Sequence, residues 1–269
     1  MSAVNGPGFY DIPEAEYHAD TELAPKLGRS LSVSGAKKIL ALPARFAHER
    51  DHGQEPKDVF DLGTLAHRLI LGAGGTVHVV DCYDWRLKKH QDEKRAKRAE
   101  GFTVVNRGDL LAASRMAAAV RRHPTAAAIL SQGVAEKSLY WTDEATGVTL
   151  RARIDWLHPK AVVDVKTCAD ASPAGFASAV AKFGYDMQAA WYAEGVEALT
   201  GERLPFIFLC VEKEAPHFVA VYQLDDAALE RGAYRNALAR AAYAEHQSSG
   251  EWPAYSTEIE TLSLPRWAS

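Results

Sequence analysis

The sequence predicts an α/β fold, a mixed and largely antiparallel sheet flanked by helices, with a helical region ahead of it. Three observations carry the prediction. The first 125 residues hold helix-start signals followed by apolar residues at helical spacing. From about residue 134 the texture changes to short runs of β-branched and aromatic residues separated by turn residues. Those runs are interrupted by one helical stretch and closed by another, which gives the order helices, three strands, helix, two strands, helix.

In the helical region, Ser32 or Ser34 caps a segment that runs to about Arg50. Asp61 caps residues 62–71, and Asn106 caps a segment that reaches Arg122 and stops before Pro124. Residues 134–141, 148–157 and 161–167 read as three consecutive antiparallel strands, with turns at 143–147 and 158–160. A helical stretch follows Pro173 to about Leu199, then strands at 206–213 and 217–224, then a helix over 225–246. The tail, 248–269, carries two Pro and two Trp and is expected to run over the surface with its aromatic rings tucked in. No period of 20 to 50 residues repeats, and no Gly/Ser-rich or Pro-rich stretch divides the chain. One domain over 1–269 is expected: a helical part (1–125), a core (134–246) and the tail.

Composition excludes several classes. The chain has 269 residues, 47% of them hydrophobic, enough to bury a core. Its longest uninterrupted apolar run is residues 206–211, far short of the roughly 20 residues that span a bilayer, so no membrane association is expected. Residues 1–13 carry neither a basic cluster nor an apolar run, and three cysteines cannot form an even disulfide framework, which points to a reducing cytoplasm. No C-x-x-C pair exists to build a thiolate metal site. With 31 Lys plus Arg against 35 Asp plus Glu the net charge is -4, so any anionic partner must be held locally rather than by bulk charge.

The sharpest signal is Ile154-Asp155-Trp156 followed by Val163-Asp164-Val165-Lys166-Thr167. Strand alternation puts Asp164 and Lys166 on one face and Val163 and Val165 on the other; Arg151, Arg153 and Asp155 likewise share a face of the preceding strand. A hairpin around residues 158–160 brings Asp155 beside Asp164. Two carboxylates that close repel each other, and a divalent cation relieves the repulsion. Mg²⁺ suits such hard oxygen ligands and needs only one or two protein carboxylates beside waters and phosphate oxygens. The lysine two residues on can orient or deprotonate a water, or stabilise charge at phosphorus. On its own, the tripeptide Asp-x-Lys is better explained by a solvated strand face whose charges pair, at about 0.2–1 kcal/mol, because such tripeptides are common.

Four patterns together, in order along the chain, resemble the PD-(D/E)XK nuclease superfamily, and within it the RecB-like exonucleases, most closely the phage-type RecE nuclease domain. They are Gly63-Thr64-Leu65-Ala66-His67 on an early helix; Glu136 on the first strand beside Tyr140-Trp141 and Thr146-Gly147; Arg153-Ile154-Asp155 with Asp164-Val165-Lys166-Thr167; and Gln188 with Tyr192 on the following helix. The resemblance covers roughly residues 30–245, and Leu264-Pro265-Arg266-Trp267 also looks like the end of RecE-type chains. Two departures are mild: Asp164 stands where many relatives have Glu, and Ile154 where they have Pro. No four-cysteine iron–sulfur cluster is present.

The resemblance implies a restriction-endonuclease-like core and a Mg²⁺-dependent exonuclease, with Mn²⁺ as substitute, acting 5′ to 3′ on double-stranded DNA ends and leaving 3′ single strands for recombination by annealing. It implies His67, Asp155, Asp164 and the Val165 carbonyl as metal ligands, with Lys166, Asp164, Asp155, Glu136, Gln188 and Tyr192 as the catalytic set. Taken alone, His67 on an apolar helix reads as a core histidine, Tyr192 as core packing, and Glu136 as a partner of Arg151 or Arg153. Arg29, Ser32 and Ser34, at a helix N-terminus, are candidate phosphate contacts together with Arg151 and Arg153; plain N-capping is the competing explanation for the serines. Residues 85–98 carry seven Lys or Arg against Asp92 and Glu93, either a phosphate-binding face or a solvated helix. The resemblance further implies a homo-oligomeric ring, a tetramer, and a RecT-type single-strand annealing protein as partner. The alternatives are a structure-specific or restriction-like endonuclease and a non-catalytic DNA-binding module of the same fold.

Overall fold

A computed structural model describes residues 4–19, 29–53 and 61–264. Before the meander come β1 (Gly8–Tyr10), α1 (Glu14–Ala19), β2 (Leu31–Ser32), α2 (Val33–Ala41), α3 (Pro43–His52), α4 (Asp61–Leu71), β3 (Val77–Val80), α5 (Lys88–Ala99), β4 (Thr103–Asn106), α6 (Arg107–Arg122) and α7 (Pro124–Leu130). The meander is β5 (Val134–Thr142), β6 (Thr149–His158) and β7 (Ala161–Cys168). Then follow α8 (Pro173–Phe183), α9 (Tyr185–Thr200), β8 (Phe206–Glu212), β9 (Val219–Tyr222) and α10 (Asp226–Ser249).

The main sheet runs β1-β5-β6-β7-β8-β9, with β2 added parallel to β6. Its pairs are antiparallel except β7–β8 and β2–β6. The β7–β8 pair is joined by the α8–α9 crossover that parallel strands require. The mixed, largely antiparallel α/β architecture therefore stands as predicted. On one face, Leu139, Leu150, Ala152 and Ile154 pack against Met187 and Trp191 of α9 and against α2. On the other, Val163, Val165, Leu209 and Val211 pack against Leu65 of α4 and Met116 and Val120 of α6. Among the described residues no helix is long and apolar enough to cross a membrane.

Three expectations need correction. The region before residue 134 is not simply helical, because β3 and β4 form a separate parallel pair and β1 and β2 join the main sheet. The helix expected over 32–50 breaks at Leu42, which is extended (φ -168, ψ 102) because a residue preceding proline avoids the helical region. The helix after Pro173 breaks at Gly184, whose left-handed conformation (φ 64, ψ 44) ends α8 and opens α9 in a new direction. Other signals hold as read: Asn106 and Asp109 form a reciprocal capping box, and α6 ends at Arg122. In the tail, Trp252 packs on Phe46 and Tyr243, whereas Tyr255 is exposed, so the expectation of tucked-in rings holds for Trp252 and not for Tyr255. Pro265, Arg266 and Trp267 lie outside the described residues.

Candidate active site

The register Trp156↔Val163 and Leu157↔Val162 sets Asp155 opposite Asp164, as strand alternation around the hairpin requires. The Val165 backbone N–H donates to Asp155 Oδ2 at 2.8 Å, fixing that carboxylate over β7. Alternation along β5 and β6 fails just here. Leu139 and Ile154 face the α9 layer while Ala135 and Trp156 face the α4 layer, so both strands change sides at Glu136 and Asp155. Glu136 absorbs the change with φ 58, a left-handed conformation rare for a residue with a side chain and of the kind that clusters at functional sites.

His67 comes from the other layer. Gly63, one turn earlier on α4, lies so close to β7 that a Cβ there would sit 3.3 Å from Thr167 Oγ1. This approach brings His67 Nε2 to 2.7 Å from Asp155 Oδ2 and its Nδ1 to 3.6 Å from Glu136 Oε1. Burial opposes charge on the imidazole, yet Asp155 and Glu136 outweigh it and raise its pKa to about 9. Glu136 also accepts from Arg153 Nε at 2.6 Å, and Arg153 continues to the Ile12 carbonyl and Ser138.

Asp164 is only 2% exposed. Burial, reinforced by the Asp155 charge, pushes its carboxyl up to about 6 against the pull of Lys166. Lys166 Nζ lies 2.6 Å from Asp164 Oδ2 and donates to Gln188 Oε1 at 3.0 Å, while Gln188 Nε2 donates to Asp164 Oδ1 at 2.6 Å. One amide on α9 thus grips both ends of the Asp-x-Lys pair. Burial works against the Lys166 charge, but Asp164 and Asp155 more than compensate and keep it protonated, a donor rather than a base. Tyr192, one turn beyond Gln188, is buried edge-on to Phe206 and also borders the same cleft.

A cleft of about 1860 Å³ opens over this cluster, lined by His67, Glu136, Asp155, Val165, Lys166 and Tyr192. Arg29, Ser32, Ser34, Arg151 and Arg153 line it too. Ser32 spends its hydroxyl capping α2 through Gly35 N, Arg29 pairs with Asp51 at 2.9 Å, and Ser34 is exposed. The basic run over 85–98 lies apart: it forms α5 on the small β3–β4 sheet, does not line the cleft, and pairs internally through Arg95–Asp92 and, just beyond it, Lys97–Glu100. The sequence does not mark most of the other residues that line the cleft, two of them beside Lys166. Lys37 of α2 and Tyr185 of α9 border Lys166, whose Nζ lies 4.7 Å from the Tyr185 ring centroid.

Among the described residues no three acid, histidine or cysteine side chains are already grouped as a metal cage. The donors instead occupy one another, His67 with Asp155 and Lys166 with Asp164. Their chemistry nevertheless fits a hard divalent cation, because two carboxylates are held together in a buried place and one is driven toward protonation by burial, with the other's charge adding to it. His67, Asp155, Asp164 and the Val165 carbonyl are the groups that would hold such an ion.

A mixed sheet bearing an acid on one strand, an Asp-x-Lys on the next and a glutamine behind them defines a PD-(D/E)XK-type domain. The chain belongs to the family of PDDEXK-like domains of unknown function (DUF3799), whose model matches residues 32–265. Members of the wider superfamily generally use divalent metals. No curated protein matches the sequence. Among solved structures, a protein of Eubacterium rectale assigned as an exonuclease shares the fold with a TM-score of 0.65, over 95% of this chain and 96% of that one, at 18% identity. A phage-related exonuclease from Haemophilus somnus 129PT gives 0.36 over 82% and 96% at 12% identity. An alkaline exonuclease from Laribacter hongkongensis gives 0.27 over 72% and 97% at 16% identity. Of these three, the first is close enough to compare folds.

Proposed function

We propose that the protein is a Mg²⁺-dependent deoxyribonuclease that digests one strand of duplex DNA from its ends, 5′ to 3′, leaving 3′ single strands for recombination by annealing. The observation that carries the hydrolytic reading is the buried Asp164–Lys166–Gln188 network lying behind Lys166, Asp155 and His67, which line one large cleft. End preference and polarity rest on the motif resemblance alone; the Eubacterium rectale protein, which shares the fold, is assigned as an exonuclease.

A bound divalent cation supplies positive charge against the scissile phosphate and the departing 3′ oxygen. Asp155 and Asp164 hold that charge in place, and Gln188 fixes the rotamer of Asp164. Lys166 donates toward the attacking water or a phosphate oxygen and so sets the line of attack. Arg151, Arg153, Arg29 and Ser34 offer contacts to the flanking backbone. Mn²⁺ is expected to substitute for Mg²⁺. The active form is a homo-oligomer, a tetrameric ring around DNA, located in the cytoplasm, with a RecT-type annealing protein as partner.

The test is digestion of linear duplex with strands labelled separately at their 5′ and 3′ ends, beside a closed circle. Early release of 5′ label with the circle intact is expected. Cutting of the circle would replace the exonuclease by an endonuclease, and duplex binding without cleavage in Mg²⁺ or Mn²⁺ would leave a binding module. Light scattering at micromolar concentration checks the ring, which a monomeric mass would contradict.

A further inference from the structure

Lys37 stands on α2 where it lines the cleft beside the catalytic cluster. Its surroundings differ from those of Lys38, Arg29 and Arg153. Lys38 is neutralised by Glu49 at 2.6 Å, Arg29 by Asp51 at 2.9 Å and Arg153 by Glu136 at 2.6 Å. Lys37 has no carboxylate partner among the described residues, although it is half-buried. Its Nζ lies 5.7 Å from the centroid of Tyr185, the ring that also receives Lys166 Nζ at 4.7 Å. Gly184 makes room for its stem, since a Cβ there would come within 3.2 Å of Lys37 Cε. Lys166 is already committed to Asp164 and Gln188. A half-buried ammonium whose nearest counter-charges, Asp164 and Asp186, lie beyond salt-bridge reach is poorly compensated in the free protein and gains when an anion arrives.

We propose that Lys37 binds the substrate directly, donating to a non-bridging oxygen of a backbone phosphate next to the scissile one, with Tyr185 holding it apart from Lys166. The proposal rests on the nuclease reading above and adds to it a phosphate-binding residue supplied by α2. It differs from the capping serines in offering a full charge to the cleft.

The test compares wild type, Lys37→Met and Lys37→Arg in single-turnover cleavage of linear duplexes. One linkage at a time near the end is replaced by an uncharged methylphosphonate. Losing a hydrogen bond to a charged group should raise the half-saturating protein concentration of Lys37→Met about 10-fold, and Lys37→Arg should recover most of it. At one linkage the neutral replacement should weaken wild type but add nothing to the defect of Lys37→Met. Thermal unfolding of Lys37→Met should fall at or above wild type, because a half-buried charge with no salt-bridge partner among the described residues has been removed. A Lys37→Met that matches wild type in half-saturation, or whose loss adds to that of every modified linkage, would overturn the proposal while leaving the nuclease reading in place. A wild type that does not cleave these duplexes would overturn both.

Discussion

At the scale of single residues, the site is a set of mutual constraints around Asp164. The carboxylate is buried, and its charge is tolerated because Lys166 lies 2.6 Å away and Gln188 donates to its other oxygen. Removing one partner of a buried pair strands the other, typically at 3–5 kcal/mol. Asp164→Ala therefore confounds folding with chemistry, and Asp164→Asn is the cleaner variant, expected to keep its circular dichroism while losing cleavage. Gln188→Ala leaves both charges but frees their rotamers. Partners behind a site's ligands typically contribute 10–100-fold, so its single-turnover rate should fall by about that factor with duplex affinity little changed. Equal rates in wild type and Gln188→Ala would remove Gln188 from the account.

At the scale of elements, placement depends on close approach and on breaks in regularity. Gly63 lets α4 lie against β7, so Gly63→Val should push the helix outward and carry His67 from Asp155. Overpacking of this kind costs about 1–3 kcal/mol. Cleavage should suffer far more than the melting temperature, a ratio readable by assaying both on one preparation. Asn106→Ala should cost about 0.5–2 kcal/mol through the lost cap of α6 and lower thermal stability without altering the site. The strands and most helix starts were legible because period-two alternation, capping residues and turn residues are local signals. So was the pairing of Asp155 with Asp164, which follows from a short hairpin. The breaks at Leu42 and Gly184 were written in Pro43 and in the glycine itself, yet each was overridden by a helical pattern continuing on both sides. The β3–β4 pair was not legible, since parallel strands separated by a helix leave no local trace of pairing. The left-handed Glu136 belongs to a glutamate with no turn sequence around it. Lys37 is one of two adjacent lysines on α2 that both line the cleft, and only the fold reveals that Lys38 meets Glu49 while Lys37 has no such partner among the described residues.

At the scale of the whole molecule, a net charge of -4 is compatible with an anionic substrate because the cations that matter line one cleft. The most basic stretch of sequence, now α5, stands away from that cleft. Reversing its charge in Lys88→Glu/Lys89→Glu should therefore change duplex affinity by about twofold or less at physiological salt, where the Debye length is about 8 Å. A tenfold loss by fluorescence anisotropy would move the DNA path onto α5. The central claim, that the Asp155, Asp164 and Lys166 cluster hydrolyses phosphodiesters, is tested most directly by the single-turnover rate of wild type and Lys166→Met on linear duplex DNA in Mg²⁺. The expected result is cleavage by wild type and a loss of about 10²–10⁴-fold in the variant, with circular dichroism unchanged. Equal rates in the two proteins, or no cleavage by wild type in either Mg²⁺ or Mn²⁺, would contradict it.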